Sequence, residues 1–200
     1  MASCTIRFRY DVEKFVNVVA YLAINNVPNL DKLKVSKLMY FVDKLHLQRY
    51  GRPVSGDSYN ALPYGPIPSV SLDIMDEAVA DELSYFGITN TNVELFMNYL
   101  EVIDRSEKYP KFRAKRQPEL DIFSDSDIEI LDEVIKTYGQ LTGLDLVNLT
   151  HKEPAWTKTQ GNALIDFRLF LEGLDDEEKE SIIELLEHDQ EDREIFELSR

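Results

Sequence analysis

The sequence predicts a mainly α fold: a single helical domain with a small β-hairpin. Apolar residues recur at helical spacing in several segments of the chain. Most of these segments begin beside helix-capping residue types and end near glycine or proline. Residues 99–104 and 111–117 instead favour two paired strands. We therefore expect six to eight helices around one core, with the hairpin beside them.

The first helix is expected to follow a short N-terminal segment. Residues 5–10 alternate in polarity, which suits a short strand or an extended lead-in. Asp11 is a suitable N-cap for a helix that runs to about Asn26. The apolar face of this helix consists of Val12, Phe15, Val16, Val19, Leu22 and Ala23.

A central helix is expected between Asp31, as its N-cap, and Gly51, which would end it in a left-handed conformation. Pro53, just beyond, would prevent the helix from continuing. Residues on one helical face are apolar, at Val35, Leu38, Met39, Val42 and Leu45.

A rigid loop is expected after the central helix. Residues 59–62 favour a short strand, and residues 63–68 then contain three prolines. Each proline fixes its own φ and restricts the residue before it, so this loop has little conformational entropy to lose. It is expected either to shape a surface for a partner or to clamp the core. Pro68 suits the first turn of a helix that reaches about Leu83.

The second half of the chain predicts further short elements. A loop is expected over residues 87–92, and residues 93–104 have mixed character that favours a strand near its end. Ser124 begins a capping-box pattern for a helix that ends at Gly139, and Thr142 caps a short helix to about Leu149. Pro154 and Trp156 are expected in a loop, followed by a helix over residues 163–171.

Gly173 suggests a boundary between a domain of residues 1–172 and an acidic C-terminal helix or tail of residues 173–200. The C-terminal segment combines many acidic residues with an apolar set around Ile182 and Leu186. Such an amphipathic helix either packs back on the domain or enters a groove of a partner.

Composition limits the classes of function. The formal net charge of −15 opposes binding to a phosphate backbone. Residues 108–116 are basic and include Phe112, a composition typical of nucleic-acid patches, but the stretch is short and the protein acidic. Cys4 is the only cysteine, so no internal disulfide is possible, and no apolar run reaches the ~20 residues of a membrane span. We expect a soluble, cytoplasmic protein with no nucleic-acid or membrane partner.

Two segments carry a family resemblance. Residues 37–69 read KLMYFVDKLHLQRYGRPVSGDSYNALPYGPIPS, and residues 149–156 read LTHKEPAW. Both resemble the Panacea domain, whose family includes SocA-like antitoxins and phage-associated proteins. The resemblance implies a mostly helical domain that neutralises a cognate toxin by direct binding. It also implies an alternative, a proteolytic adapter that delivers a toxin to an ATP-dependent protease.

No catalytic, cofactor-binding or metal-binding residues are predicted. The chain lacks the HExxH, GxSxG, Walker and GxGxxG motifs, so we expect a protein without enzymatic activity. The alternative is a metal-dependent or hydrolytic enzyme that uses His46, Asp57 and His151. Asp57 is more simply expected to hydrogen-bond the backbone of its own turn. Trp156 suits an interface or the core equally. The residues predicted to bind a partner are Tyr50, Tyr59, Pro63, Tyr64, Pro66, His151 and Trp156.

Overall fold

A computed structural model describes residues 6–80, 91–105 and 107–198, and it confirms the mainly α prediction. Cys4, the predicted helix end at Leu83 and most of the predicted loop at residues 87–92 lie outside the described residues. The described helices are α1 Val12–Ile24, α2 Lys32–Tyr50, α3 Ser69–Ala80, α4 Thr91–Tyr99, α5 Asp125–Tyr138, α6 Gly143–Thr150, α7 Pro154–Thr157 and α8 Asp176–Leu198.

Two antiparallel hairpins accompany the helices. β1 (Tyr59–Leu62) pairs with β2 (Gly65–Pro68), and β3 (Leu100–Ile103) pairs with β4 (Lys111–Ala114). The second hairpin is the one that the sequence predicts at residues 99–104 and 111–117. Ahead of β3, the mixed segment is helical through Tyr99 rather than extended from Val93.

The first hairpin corrects the prediction of an irregular proline loop, because residues 65–68 form a strand. Asn60 lies opposite Ile67, and Leu62 lies opposite Gly65. The other two residues of β1 bond in the opposite direction, to a segment near residue 164. Pro66 and Pro68 therefore occupy positions whose missing N–H faces away from β1, which is where a strand tolerates proline.

Helix α2 lies at the centre of the domain. It contacts α3, α5, α6, β2 and the 3-10 helix Phe167–Leu171. Its caps are as predicted: the Asp31 side chain accepts from the Lys34 N–H, and Gly51 adopts a φ of 68°. Twelve of its residues are buried, so the helix is enclosed on nearly all sides. Among them are the polar side chains of Lys34, Ser36, Lys37, Asp43 and His46.

Three other helices begin at the capping residues that the sequence predicts. Asp11 caps α1, Ser124 and Asp127 form the capping box of α5, and Thr142 caps α6. The Phe15 ring of α1 stacks on Phe96 of α4 with their centroids 5.8 Å apart. This stacking packs α1 against α4.

Two predicted segments differ from the structure. Residues 154–157 form the short helix α7, with Pro154 in its first turn, where the missing proline N–H has no helical partner to lose. Only Phe167–Leu171 of the predicted helix over residues 163–171 is helical, as a 3-10 turn. Ahead of it, Ala163 O accepts from Ala61 N and Ile165 N donates to Tyr59 O, so this part is held extended beside β1.

Helix α8 packs against the domain through part of its surface. Leu186 is 6% exposed and belongs to the core cluster, and Glu187 accepts a 2.7 Å hydrogen bond from Arg168. Leu185 points outward and is 64% exposed. Of the helices that the structure describes, none has the length and apolarity that crossing a membrane requires.

Candidate partner-binding site

The first hairpin presents an exposed tip. Tyr64, in the turn between β1 and β2, is 62% exposed, and Pro63 beside it is also exposed. Tyr50, at the end of α2, is 39% exposed. Tyr59 and Pro66 are buried, which corrects the expectation that their side chains face a partner.

A stacked ring pair lies against the base of this tip. The Trp156 indole N–H donates a 2.8 Å hydrogen bond to the Leu62 carbonyl, the residue before Pro63. The Trp156 ring stacks on His151 with a centroid separation of 4.1 Å. Both rings are partly exposed. Pro63, Tyr64, Trp156 and His151 therefore form one continuous surface, which we call the tip surface.

The connection of the second hairpin carries another exposed aromatic residue, which was not predicted. Tyr109, in the connection between β3 and β4, is 56% exposed, and the Lys108 ammonium lies 5.1 Å from its ring centroid. The pKa of Lys108 is raised by Tyr109 and, to a smaller extent, by Tyr64. Tyr64 and Lys108 are therefore close enough to interact. The sequence places Tyr109 in a basic stretch and gives no sign that its ring is exposed.

A buried lysine supports the hairpin from below. The Lys37 ammonium donates a 2.8 Å hydrogen bond to the Pro66 carbonyl, and burial lowers the pKa of Lys37 to about 7. Gly65 has a φ of 97°, and a Cβ there would lie 2.6 Å from Thr150 Oγ1 and 2.8 Å from Lys37 Nζ. Only glycine fits this position, because it tolerates the conformation and leaves room for both side chains.

Asp43 joins α2 to the chain that leads into β1. Its fully buried carboxylate accepts from the Val54 N–H at 2.9 Å, the Ser55 N–H at 2.8 Å, the Ser55 hydroxyl at 2.6 Å and the Tyr59 hydroxyl at 2.7 Å. Burial raises the pKa of Asp43 to about 6, although these hydrogen bonds act to lower it. The arrangement satisfies the buried carboxylate and gives it a structural role.

Asp57 bonds the backbone of its own turn at Ser58, as expected, and also the first turn of α3. Its carboxylate accepts from the Val70 N–H at 3.1 Å and the Ser71 N–H at 2.8 Å, two of the orphan donors in the first turn of α3. Burial raises the pKa of Asp57, against the hydrogen bonds from Ser71 and Val70. The negative charge lies at the positive end of the helix dipole.

His46 belongs to a separate buried cluster. Its Nδ1 lies 2.7 Å from the Arg52 carbonyl, and its Nε2 lies 3.0 Å from Asp127 Oδ1. Because a carbonyl only accepts, Nδ1 carries a proton. Asp127 also binds Lys14 at 2.7 Å and Arg52 at 3.0 Å. Burial acts to raise the pKa of Asp127, but the hydrogen bonds from His46 and Lys14 outweigh it and hold that pKa below its ordinary range.

The residues proposed for an enzyme do not share one site. His46 contacts Asp127, Asp57 caps α3, and His151 stacks on Trp156. Within the described residues, no group of three or more histidine, cysteine, aspartate or glutamate side chains is placed to hold a metal ion. The geometry at these three residues supports packing and capping.

Comparison with known proteins identifies the family. The family model for the antitoxin SocA-like, Panacea domain matches residues 35–157, which is more than half of the chain. The match runs from α2 to α7 and so includes Tyr64, His151 and Trp156. Comparison with curated proteins and with solved structures gave no match. The family match establishes that this chain belongs to the SocA-like antitoxins and contains their Panacea domain.

Proposed function

We propose that this protein neutralises a cognate protein toxin in the cytoplasm by binding it directly through the tip surface. One observation carries the proposal: Tyr64 is 62% exposed at the end of a hairpin whose stem is fixed by one buried and one partly buried hydrogen bond. Those bonds come from Trp156 to Leu62 and from Lys37 to Pro66. The family match supports an antitoxin role in general.

The physical advantage of such a tip is preorganisation. A large aromatic side chain on a rigid support loses little conformational entropy when a partner covers it, and tyrosine is enriched among the residues that dominate binding energy. Tyr109, in the connection of the second hairpin, is another exposed aromatic ring. A formal net charge of −15 favours a toxin with a basic surface, because complementary charges accelerate association.

The test is co-expression of this protein with the product of the neighbouring gene, followed by purification of the complex. Tyr64→Ala should weaken binding of that product at least about tenfold and abolish rescue of growth. Leu120→Ala is the matched control, since Leu120 is a similarly exposed apolar residue at 54% on the 3-10 helix Leu120–Ile122. Rescue by the Tyr64→Ala protein at wild-type level would reject the tip surface as the binding site.

Proteolytic delivery of the toxin is the alternative form of neutralisation, and the exposed surface of α8 supports it as a second candidate. This helix lies beyond the matched residues 35–157 and presents Leu185 outward, so it offers a second surface that a protease could engage. The two mechanisms separate in a pulse-chase measurement of the toxin. Direct neutralisation leaves the lifetime of the toxin unchanged or longer, whereas delivery shortens it only when the ATP-dependent protease is present.

A further inference from the structure

A groove with an excess of positive charge runs along the N-terminal segment, outside the tip surface. Its volume is about 740 Å³, and its lining includes Arg7, Arg9, Lys14 and Arg52. The acidic side chain in the lining is Asp11, whose carboxylate caps the first turn of α1 by accepting from the Lys14 N–H at 2.9 Å. Four cations around one groove contrast with the net charge of −15 for the whole chain.

The positive charge of the groove is only partly neutralised. Asp127 is buried beneath it and is shared by Lys14 at 2.7 Å and Arg52 at 3.0 Å. Arg7 and Arg9 are exposed, and within the described part of the chain neither side chain forms an ion pair. Two guanidinium groups are thus available to anions, and arginine binds carboxylates in a bidentate manner.

The backbone along this groove offers hydrogen-bond donors as well. Residues 6–10 are not helical, and the Asp11 N–H that follows them donates to the Ser55 carbonyl at 2.8 Å. Among the described residues, the backbone N–H groups of Phe8 and Arg9 have no hydrogen-bond acceptor. A Cβ on Gly56 would lie 2.4 Å from the Arg9 carbonyl oxygen, so the segment is packed closely against the domain. A non-helical segment with free backbone donors is one to which a strand of a partner can add.

We propose that this groove binds an extended acidic segment of a partner protein. Carboxylates of that segment would pair with Arg7 and Arg9, and one of its backbone carbonyls would accept from the free N–H of residue 8 or of residue 9. The partly exposed Phe8, which also lines the groove, would contact apolar side chains of the segment. This surface goes beyond the proposed function, because it is separate from the tip surface and recognises the opposite charge.

Two other occupants are less suited to the groove. A nucleic acid would supply anions but would be repelled by the strongly acidic remainder of the protein. The chain's own acidic C-terminal segment lies near, since Gln190 Oε1 accepts from the Arg7 N–H at 3.1 Å. That segment continues as helix α8 to Leu198, and a helix cannot pair its backbone with an extended segment because its own hydrogen bonds are already used.

The test uses the full-length protein and a fluorescein-labelled decapeptide in which glutamate alternates with valine, followed by fluorescence anisotropy. We expect saturable binding that weakens with added salt. Arg7→Gln with Arg9→Gln should weaken binding at least tenfold. Arg113→Gln with Arg116→Gln, which removes the same charge from exposed positions elsewhere, should change it less than twofold. Amide shifts of residues 8 and 9 in NMR spectra should change on peptide addition.

Three outcomes would overturn the proposal. The first is equal binding of a decapeptide that carries glutamine in place of glutamate, which needs no variant protein and so remains decisive if the arginine variants fail to fold. The second is tighter binding of a ten-nucleotide oligothymidylate than of the acidic peptide. The third is peptide binding that occurs only in a variant with Glu191→Gln, Asp192→Asn and Glu194→Gln, which would make the chain's own segment the occupant.

Discussion

The Tyr59 hydroxyl donates a 2.7 Å hydrogen bond to the carboxylate of Asp43, and both side chains are fully buried. Asp43 lies in the middle of α2, and Tyr59 begins β1, so this bond fixes the first hairpin to the central helix. The Tyr59 ring also lies 5.9 Å from the Tyr40 ring, in an edge-to-face arrangement. The position of the exposed Tyr64 therefore depends on buried polar contacts of α2.

Tyr59→Phe should destabilise the protein because it removes one donor from a buried carboxylate while preserving the ring. We expect a loss of about 1–3 kcal/mol in the free energy of unfolding, measured by urea denaturation. Tyr50→Phe is the matched control: its hydroxyl bonds Glu129 at the surface, and its loss should cost less than about 0.5 kcal/mol. Equal effects of the two substitutions would show that the Asp43 bond contributes little.

The lowered pKa of Lys37 predicts that the free energy of unfolding increases as pH rises above 7. Burial lowers the pKa of Lys37 to about 7, whereas an unfolded lysine titrates near 10.4. Between these values the unfolded state binds more protons than the folded state, so the free energy of unfolding rises with pH. Each pH unit in this window adds up to about 1.4 kcal/mol. Denaturation measured from pH 6 to about pH 9.5 should show this rise. The upper limit keeps the measurement below the pH at which most tyrosines titrate.

The substitution that checks this assignment is Lys37→Met, which keeps the length of the side chain and removes the titrating group. The variant should lose the rise above pH 7, and Lys152→Met, at an exposed lysine, should keep it. A rise of the same size in the Lys37→Met protein would assign the effect to another group.

The lowered pKa of Asp127 predicts a dependence of the same sign at acidic pH, where stability also rises with pH. Its pKa in the folded protein is below the ordinary range, because the bonds from His46 and Lys14 outweigh its burial. The unfolded state therefore binds more protons near pH 4, and the stabilisation is present above that pH and is lost as pH falls through the folded pKa. Asp127→Asn should cost about 3–5 kcal/mol at pH 7, because it leaves buried partners unpaired.

The difference in unfolding free energy between wild type and Asp127→Asn should shrink as pH falls below about 4. Asp125→Asn removes the same charge from the same turn of α5 at an exposed position, and we expect it to have a small effect at every pH. A constant difference between wild type and Asp127→Asn from pH 7 to pH 2 would contradict the lowered pKa.

The sequence predicts the elements whose signals are local. The cap at Asp31, the apolar spacing of α2 and the stop at Gly51 lie within one segment, and the structure confirms all three. Strand β2 and the extended segment before Phe167 were missed because both depend on bonds to β1, and no local pattern reports such pairing. Tertiary contacts override local propensity in these places.

The residues of the candidate site also differ in whether a local sequence pattern predicts them. The stiff proline loop was predicted to shape a surface or to clamp the core, and Tyr64 in it is exposed, whereas Tyr109 was not predicted because no local pattern in its basic stretch marks it. Asp43 carried a signal that was not used: it is a charged residue next to Val42, which belongs to the predicted apolar face of the central helix. A carboxylate in such a position requires hydrogen-bond donors from elsewhere in the fold, and their identity depends on the tertiary structure.

Gly65 and Gly51 provide the sharpest comparison of local strain with tertiary crowding. Both have positive φ, 97° and 68°, so alanine at either position pays a conformational cost of about 1–2 kcal/mol. At Gly51 no atom lies within 4 Å of the added Cβ, whereas at Gly65 it would lie 2.6 Å from Thr150 Oγ1 and 2.8 Å from Lys37 Nζ.

Gly65→Ala should therefore destabilise the protein by at least about 2 kcal/mol more than Gly51→Ala in urea denaturation, because it forces Lys37 or Thr150 to move in a buried site. The Lys37 bond to the Pro66 carbonyl holds the stem of the hairpin, so Gly65→Ala should also weaken toxin binding, as Tyr64→Ala does. Gly51→Ala should leave binding unchanged. Equal losses of stability in the two alanine variants would mean that the hairpin yields to the added methyl group and is not rigidly supported by α2 and α6.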